Sequence, residues 1–79
     1  MPLKIASRIE DDIAILELSG TLTLGPHLNA LRRTAREALE KTKLSGLILD
    51  VAGVTVTDSS GLGELTAVYL FASKRDCPI

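Results

Sequence analysis

Chemically reactive side chains are scarce in this sequence, which has one cysteine (Cys77), one histidine (His27), one tyrosine, one phenylalanine and no tryptophan in 79 residues. A lone thiol closes no intramolecular disulfide, and one Cys with one His cannot assemble a Cys/His metal cluster. Nothing in that cysteine usage points to an oxidising compartment. A dominant charge is missing too: nine Lys and Arg against ten Asp and Glu leave a formal net charge of -1. Such a balance supplies no basic field of the kind that gathers nucleic acid. The uncharged run Leu65 to Ser73 falls far short of the roughly 20 residues of a membrane-spanning helix. Met1-Pro2-Leu3-Lys4 lacks the apolar core of a signal peptide. These absences predict a cytoplasmic protein with no cofactor and with neither nucleic acid nor membrane as partner.

Hydrophobic residues make up 46% of the chain and charged residues 24%, a globular composition. A chain of this length supports a single domain over residues 1–79, and it buries only about 60% of its unfolded surface. With so few aromatics the core must be aliphatic.

Leu3 to Ile9 alternates, with Leu3, Ile5, Ser7 and Ile9 on one side and Lys4, Ala6 and Arg8 on the other, as a strand with one wetter face does. Glu10-Asp11-Asp12 is a turn. Ile13 to Leu18 is a second strand ended by Gly20, and the short connection predicts an antiparallel hairpin. Leu24-Gly25-Pro26 is a break followed by a helix start, because proline is tolerated in a first helical turn. Leu28, Leu31, Ala35, Ala38, Leu39 and Thr42 then recur at helical spacing. The charges opposite them place Arg33/Glu37, Arg36/Glu40 and Glu37/Lys41 at i,i+4, as on a solvated face.

Ser45-Gly46 closes that helix, and Leu47-Ile48-Leu49-Asp50-Val51 is a continuous apolar run of the kind found in strands covered on both faces. The strand-helix-strand order predicts that the second and third strands lie parallel and adjacent. A second helix runs from about Ser60 to Lys74. At about 100° per residue it places Leu62, Leu65, Tyr69 and Ala72 in a core stripe, and Phe71 almost opposite, exposed in line with Ser60, Glu64 and Ala67.

The junction Thr57-Asp58-Ser59-Ser60-Gly61-Leu62-Gly63-Glu64 concentrates the functional signal. Asp58, Ser59 and Ser60 are helix-starting residues, so a hydroxyl is presented where the helix dipole favours an anion. The plain alternative for Ser59 is a helix cap, and for Gly61 and Gly63 tight packing of helix on strand rather than room for a partner's backbone. A hydrolase elbow fails because Thr57 stands where Gly-x-Ser-x-Gly needs its first glycine, and no Gly-Lys-Ser/Thr follows to make a phosphate loop. Asp50 and Asp58 are weighed as a paired-carboxylate site, against Asp58 as a cap that shapes the serine loop.

This junction resembles the Asp-Ser-Ser/Thr-Gly-Leu-Gly signature of the STAS domain family, and the likeness extends upstream through Leu47 to Val54 and through Leu18-Ser19-Gly20-Thr21-Leu22. The resemblance implies an α/β fold: a STAS-like mixed sheet with an N-terminal antiparallel hairpin, a β-α-β crossover and helices packed on the sheet. It also implies that the chain lacks the C-terminal strands and helices of a full-length member. In the anti-sigma factor antagonist branch the hydroxyl residue after the aspartate is the phosphoacceptor, by position Ser59. Asp58, Ser60, Gly61, Leu62, Gly63, Glu64 and Phe71 would then form the switch loop and partner surface. The partners would be an anti-sigma factor that is also a serine kinase, and a phosphatase. Thr23 stands where family members often carry an acidic residue, a departure that bears on the choice of kinase. The rival readings are a non-switching scaffold or transporter-associated module and a small anion- or nucleotide-binding module. Finally, the open edge of strand 47–51, guarded by no charge but Asp50, predicts a homo-oligomer through edge pairing or segment exchange.

Overall fold

The computed structural model describes all residues from Met1 to Ile79. The chain opens with β1 (Lys4–Glu10) and β2 (Ile13–Leu22), paired antiparallel from Lys4↔Ser19 to Glu10↔Ile13. The two-residue turn between them puts Asp11 at φ 51° and Asp12 at φ 65°. A hairpin loop this short needs left-handed backbone at both central positions, which Asp tolerates.

β2 is the middle strand of a three-stranded sheet ordered β1-β2-β3. Its side chains alternate with period two, and Ala14, Leu16, Leu18, Gly20 and Leu22 are all buried on one face. The strand does not end at Gly20 as expected but continues to Leu22. Gly20 holds φ +90°, and a Cβ there would lie 2.3 Å from the Pro2 carbonyl oxygen, so glycine lets the N-terminal segment cross the strand while pairing goes on. Thr21 fastens that crossing, donating from its backbone N–H (3.0 Å) and its hydroxyl (2.8 Å) to the Met1 carbonyl.

Helix α1 (Asn29–Lys41) starts three residues later than Pro26, which sits in the turn that precedes it. Leu28, Leu31, Ala35 and Leu39 are buried, as their spacing predicts. The i,i+4 pairs expected along its outer face do not form. Its charges reach across to the second helix instead, Arg32 to Glu64 and Glu40 to Arg75.

β3 (Gly46–Thr57) pairs parallel with β2, as the strand-helix-strand order requires. Two register shifts, opposite Glu17/Ser19 and Gly20/Thr21, each give β3 one residue more than β2. Such bulges re-aim a strand, and here they lengthen β3 toward the next helix. Both helices contribute to a single core on one face of the sheet. The run Leu47 to Val51 is therefore covered on one face only: Leu47 is buried and Leu49 half-buried, but Ile48 is 49% exposed and Asp50 is exposed beside it.

Helix α2 (Ser59–Lys74) turns only part of the expected stripe inward, Ala72 fully and Leu65 halfway. Gly61, Glu64, Val68 and Ala72 are buried, whereas Leu62 is 56% and Tyr69 51% exposed. Leu65 is half-buried against the core, and so is Phe71, which was expected in solvent. Past the helix, Cys77 is buried and the Pro78 carbonyl accepts from Leu47 N–H at 2.8 Å, so the chain returns to the outer edge of β3.

Beyond Leu47 that edge carries exposed Ile48, Val51 and Val56, and open edges recruit strands. The chain is expected to self-associate at micromolar concentration in static light scattering, and Val51→Lys, by placing a charge on the edge, to restore the monomer. A well-dispersed wild-type monomer that melts cooperatively would contradict this.

Candidate functional site at the β3–α2 junction

The site is built where β3 runs out at Thr57 and α2 begins at Ser59. Asp58 between them is extended (φ -128°, ψ -174°), and its Oδ1 accepts from Gly61 N–H at 2.9 Å. This is the N-cap geometry that satisfies a first-turn amide with no partner in the helix. Its other oxygen, Oδ2, accepts from Leu24 N–H at 3.1 Å, so one carboxylate ties the helix start to the β2–α1 loop. Thr57 donates from Oγ1 to the Leu22 carbonyl at 2.9 Å, and Thr55 from Oγ1 to the Gly20 carbonyl at 3.2 Å. The junction is thus stitched at several points to the end of β2.

Gly61 is what permits the closeness. A Cβ at this position would lie 1.9 Å from the Leu22 carbonyl oxygen and 2.6 Å from Thr57 Oγ1. Gly63, in contrast, has nothing within 4 Å of where its Cβ would be. The two glycines of the motif therefore differ in role: Gly61 packs helix on strand, and Gly63 leaves the outer surface bare.

Because Asp58 supplies the cap, Ser59 is not needed for it, and Ser59 stands exposed in the first helical turn with Ser60 half-buried beside it. The Asp58 carboxyl is held below the ordinary carboxylate range, first by the Gly61 N–H and then by the Leu24 N–H. It is ionised at neutral pH and places a fixed negative charge next to the serine.

Of the residues expected at this site, Asp58, Ser59, Ser60, Gly61, Leu62 and Gly63 come together in the cap and first turn. Glu64 and Phe71 do not share their outward face. The Glu64 side chain is only 11% exposed and its Oε1 accepts from Arg32 of α1, while Oε2 is buried without a partner. The Phe71 ring lies between the Arg36 guanidinium at 5.4 Å and that of Arg75 at 4.6 Å. Both residues face α1, which corrects the expectation of an exposed line through Ser60, Glu64, Ala67 and Phe71. Asp50 takes no part in a carboxylate pair with Asp58, since its Oδ1 accepts from Ala52 N–H at 3.0 Å.

The outward face of α2 is instead Ser59, Gly63, Thr66 and Leu70, flanked by Leu62 and Tyr69, all exposed. Beside it an open apolar groove of about 260 Å³ runs between α2 and β3, lined by Leu22, Val51, Val54, Thr57, Leu62 and Leu65. Sequence reasoning missed Leu62 and Tyr69 as surface residues. The signal that finds them is the spacing of small residues: Gly61, Val68 and Ala72 share a stripe that suits a close contact better than Leu62 and Tyr69 do. No local signal marks Arg32, which arrives from another helix.

A STAS domain model matches residues 4–79, nearly the entire chain. The chain belongs to the STAS domain family. STAS domains are generally binding modules rather than enzymes, and the junction described above is the place where this one presents a hydroxyl, a fixed carboxylate and an apolar surface together. No helix of this STAS domain is long and apolar enough to cross a membrane.

Two outcomes test the geometry. Gly61→Ala must push the helix off the Leu22 carbonyl and should lower unfolding free energy by about 2 to 3 kcal/mol. Gly63→Ala has open space and should stabilise the helix by up to about 1 kcal/mol. Urea denaturation of both variants measures the contrast, and equal losses would refute the assigned roles. Asp58 supplies the pH test. Its folded pKa is depressed, so its stabilising contribution is complete above the unfolded value of about 4 and is lost as pH falls through the folded one. Asp58→Asn should therefore flatten the acid limb of a stability-pH curve below about pH 4 while leaving the shape near neutrality unchanged.

Proposed function

We propose that this STAS domain is an anti-sigma factor antagonist that works by phosphorylation-controlled partner switching. The observation that carries the reading is Ser59: an exposed hydroxyl in the first turn of α2, with the cap supplied by Asp58. The unmodified domain binds an anti-sigma factor that is also a serine kinase, the kinase phosphorylates Ser59, and the complex separates until a phosphatase resets it. A phosphate adds about -1.5 to -2 charges at neutral pH. A helix N-terminus ordinarily welcomes such charge, but Asp58 already accepts from the Gly61 and Leu24 amides. The added charge therefore meets a carboxylate at the centre of an interface that had accommodated a neutral hydroxyl. Like-charge repulsion separates the partners with no refolding of the domain.

The docking face is centred on Ser59, Gly63 and Thr66, with Leu62 and Tyr69 as exposed apolar contacts. Gly63 lets a partner's backbone approach the helix, and the neighbouring groove receives a side chain. Catalysis has no part in this reading; the domain is the kinase's substrate and the anti-sigma factor's competitor, and its setting is cytoplasmic.

Incubation with an anti-sigma kinase and ATP, followed by mass spectrometry, should place a single phosphate on Ser59. Ser59→Ala should stay bound to the kinase, and Ser59→Asp should bind poorly. Phosphate on Ser60 or Thr57, or no modification at all, would refute the assignment and leave a non-switching scaffold or transporter-associated module. An anion- or nucleotide-binding module would show itself in an anion titration that shifts the amides of Ser59 to Gly63.

A further inference from the structure

Helices α1 and α2 lie side by side in the same sense, with contacts advancing along both: Arg32 to Glu64, Arg36 to Phe71, Glu40 to Arg75. Between them runs a half-open groove of about 240 Å³ whose floor includes Ala35, Ala67, Val68 and Phe71 and whose rims carry Arg32, Arg36 and Lys74. The charges on these rims do not balance. Arg32 is answered by Glu64 and Arg75 by Glu40, but the ion pairs of the chain leave Arg36 and Lys74 without a carboxylate. Two cations outside any ion pair, Arg36 from α1 and Lys74 from α2, thus line the same groove as Ala35, Ala67, Val68 and Phe71. Arg36 is also held in place, its guanidinium over the Phe71 ring, so less of its freedom is lost on meeting an anion.

Size chooses the kind of occupant. Pockets that enclose small ligands run to about 300 to 1,000 Å³ and bury most of the ligand, and this groove is smaller and open along its length. It suits one or two apolar side chains flanked by carboxylates. The geometry points to a second docking surface on this domain, in which the α1–α2 groove takes an acidic amphipathic segment of a protein partner. An apolar side chain of that segment rests on Ala67 and Phe71, and its carboxylates pair with Arg36 and Lys74. On α2 this surface is on the side turned to α1, and Leu70 forms the border it shares with the Ser59 face.

The probe is a fluorescein-labelled synthetic helix with glutamates bordering a leucine stripe, titrated by anisotropy at low salt against the wild-type chain. Loss of both cations in Arg36→Gln/Lys74→Gln should weaken binding about ten-fold, and Arg36→Glu/Lys74→Glu should abolish it. Amide shifts should cluster at Arg36, Ala67, Phe71 and Lys74. Undiminished binding by the Gln double variant, equal binding of a lysine version of the probe, or shifts confined to Ser59, Leu62 and Tyr69 would overturn the assignment. Displacement of the probe by 8-anilinonaphthalene-1-sulfonate at lower concentration would overturn it in favour of a small amphiphilic anion. Concentration-dependent shifts at the groove in the unmixed protein would assign it to a second copy of the chain and equally overturn it.

Discussion

The arrangement of this domain depends on one close approach, that of Gly61 to the carbonyl of Leu22. A helix that starts directly after a long parallel strand must turn back onto its sheet, and here it does so with no side chain between helix backbone and strand backbone. Asp58 sets where the helix begins and Thr57 satisfies the Leu22 carbonyl at the point of contact. With origin and contact point fixed, the rotation of α2 is fixed as well. Val68 and Ala72, in line with Gly61 at helical spacing, are carried to the core, while Leu62, Gly63 and Tyr69 are carried out. An exposed apolar surface next to an exposed serine is a consequence of that rotation.

The third direction of α2 faces α1, and there the packing is polar. Glu64 is a buried carboxylate answered through one oxygen by Arg32. Breaking such a pair leaves a charge in a poorly solvated place, so it locks the relative placement of the two helices more than it adds stability. Two turns on, Phe71 takes guanidinium groups on its ring from both helices. The inter-helix seam thus combines an ion pair, a cation-aromatic contact and a surplus of positive charge. A single helix therefore offers two chemically different faces, one apolar around Ser59 with the Asp58 carboxylate at its head and one cationic around Phe71.

Much of the fold can be read from short-range patterns. The alternation in Ile13 to Leu18, the Asp11-Asp12 turn and the helical recurrence from Leu28 to Leu39 each depend on neighbours within a few residues, and each appears in the structure as expected. The parallel β2–β3 pairing follows from element order. The junction residues Asp58 to Gly63 could also be recognised, because cap chemistry is local: the aspartate must precede the first-turn amides it satisfies. Three expectations failed for a shared reason. The burial of Leu62 and Tyr69 on α2, the exposure of Phe71 and the i,i+4 pairs on α1 all concern which neighbour a side chain meets at long range. Hydrophobicity gave Leu62 and Tyr69 to the core, but a contact as close as that of Gly61 leaves no room for large side chains in the same stripe.

The amino-acid sequence by itself determined the order and type of the elements and the placing of an aspartate, two serines and two glycines at a strand-to-helix turn, since these follow from local periodicity and cap chemistry; the family showed in the likeness of Asp58 to Gly63 to a known signature. Tertiary structure alone decided which of the two glycines touches the sheet, which face of α2 is left exposed, that β3 is covered on one side only, and that Arg32 pairs with α2 and Arg75 with α1. The physical reason is that periodicity defines the faces of an element but not their neighbours. Those are chosen by how closely backbones can approach, and here Gly61 against the Leu22 carbonyl makes the choice.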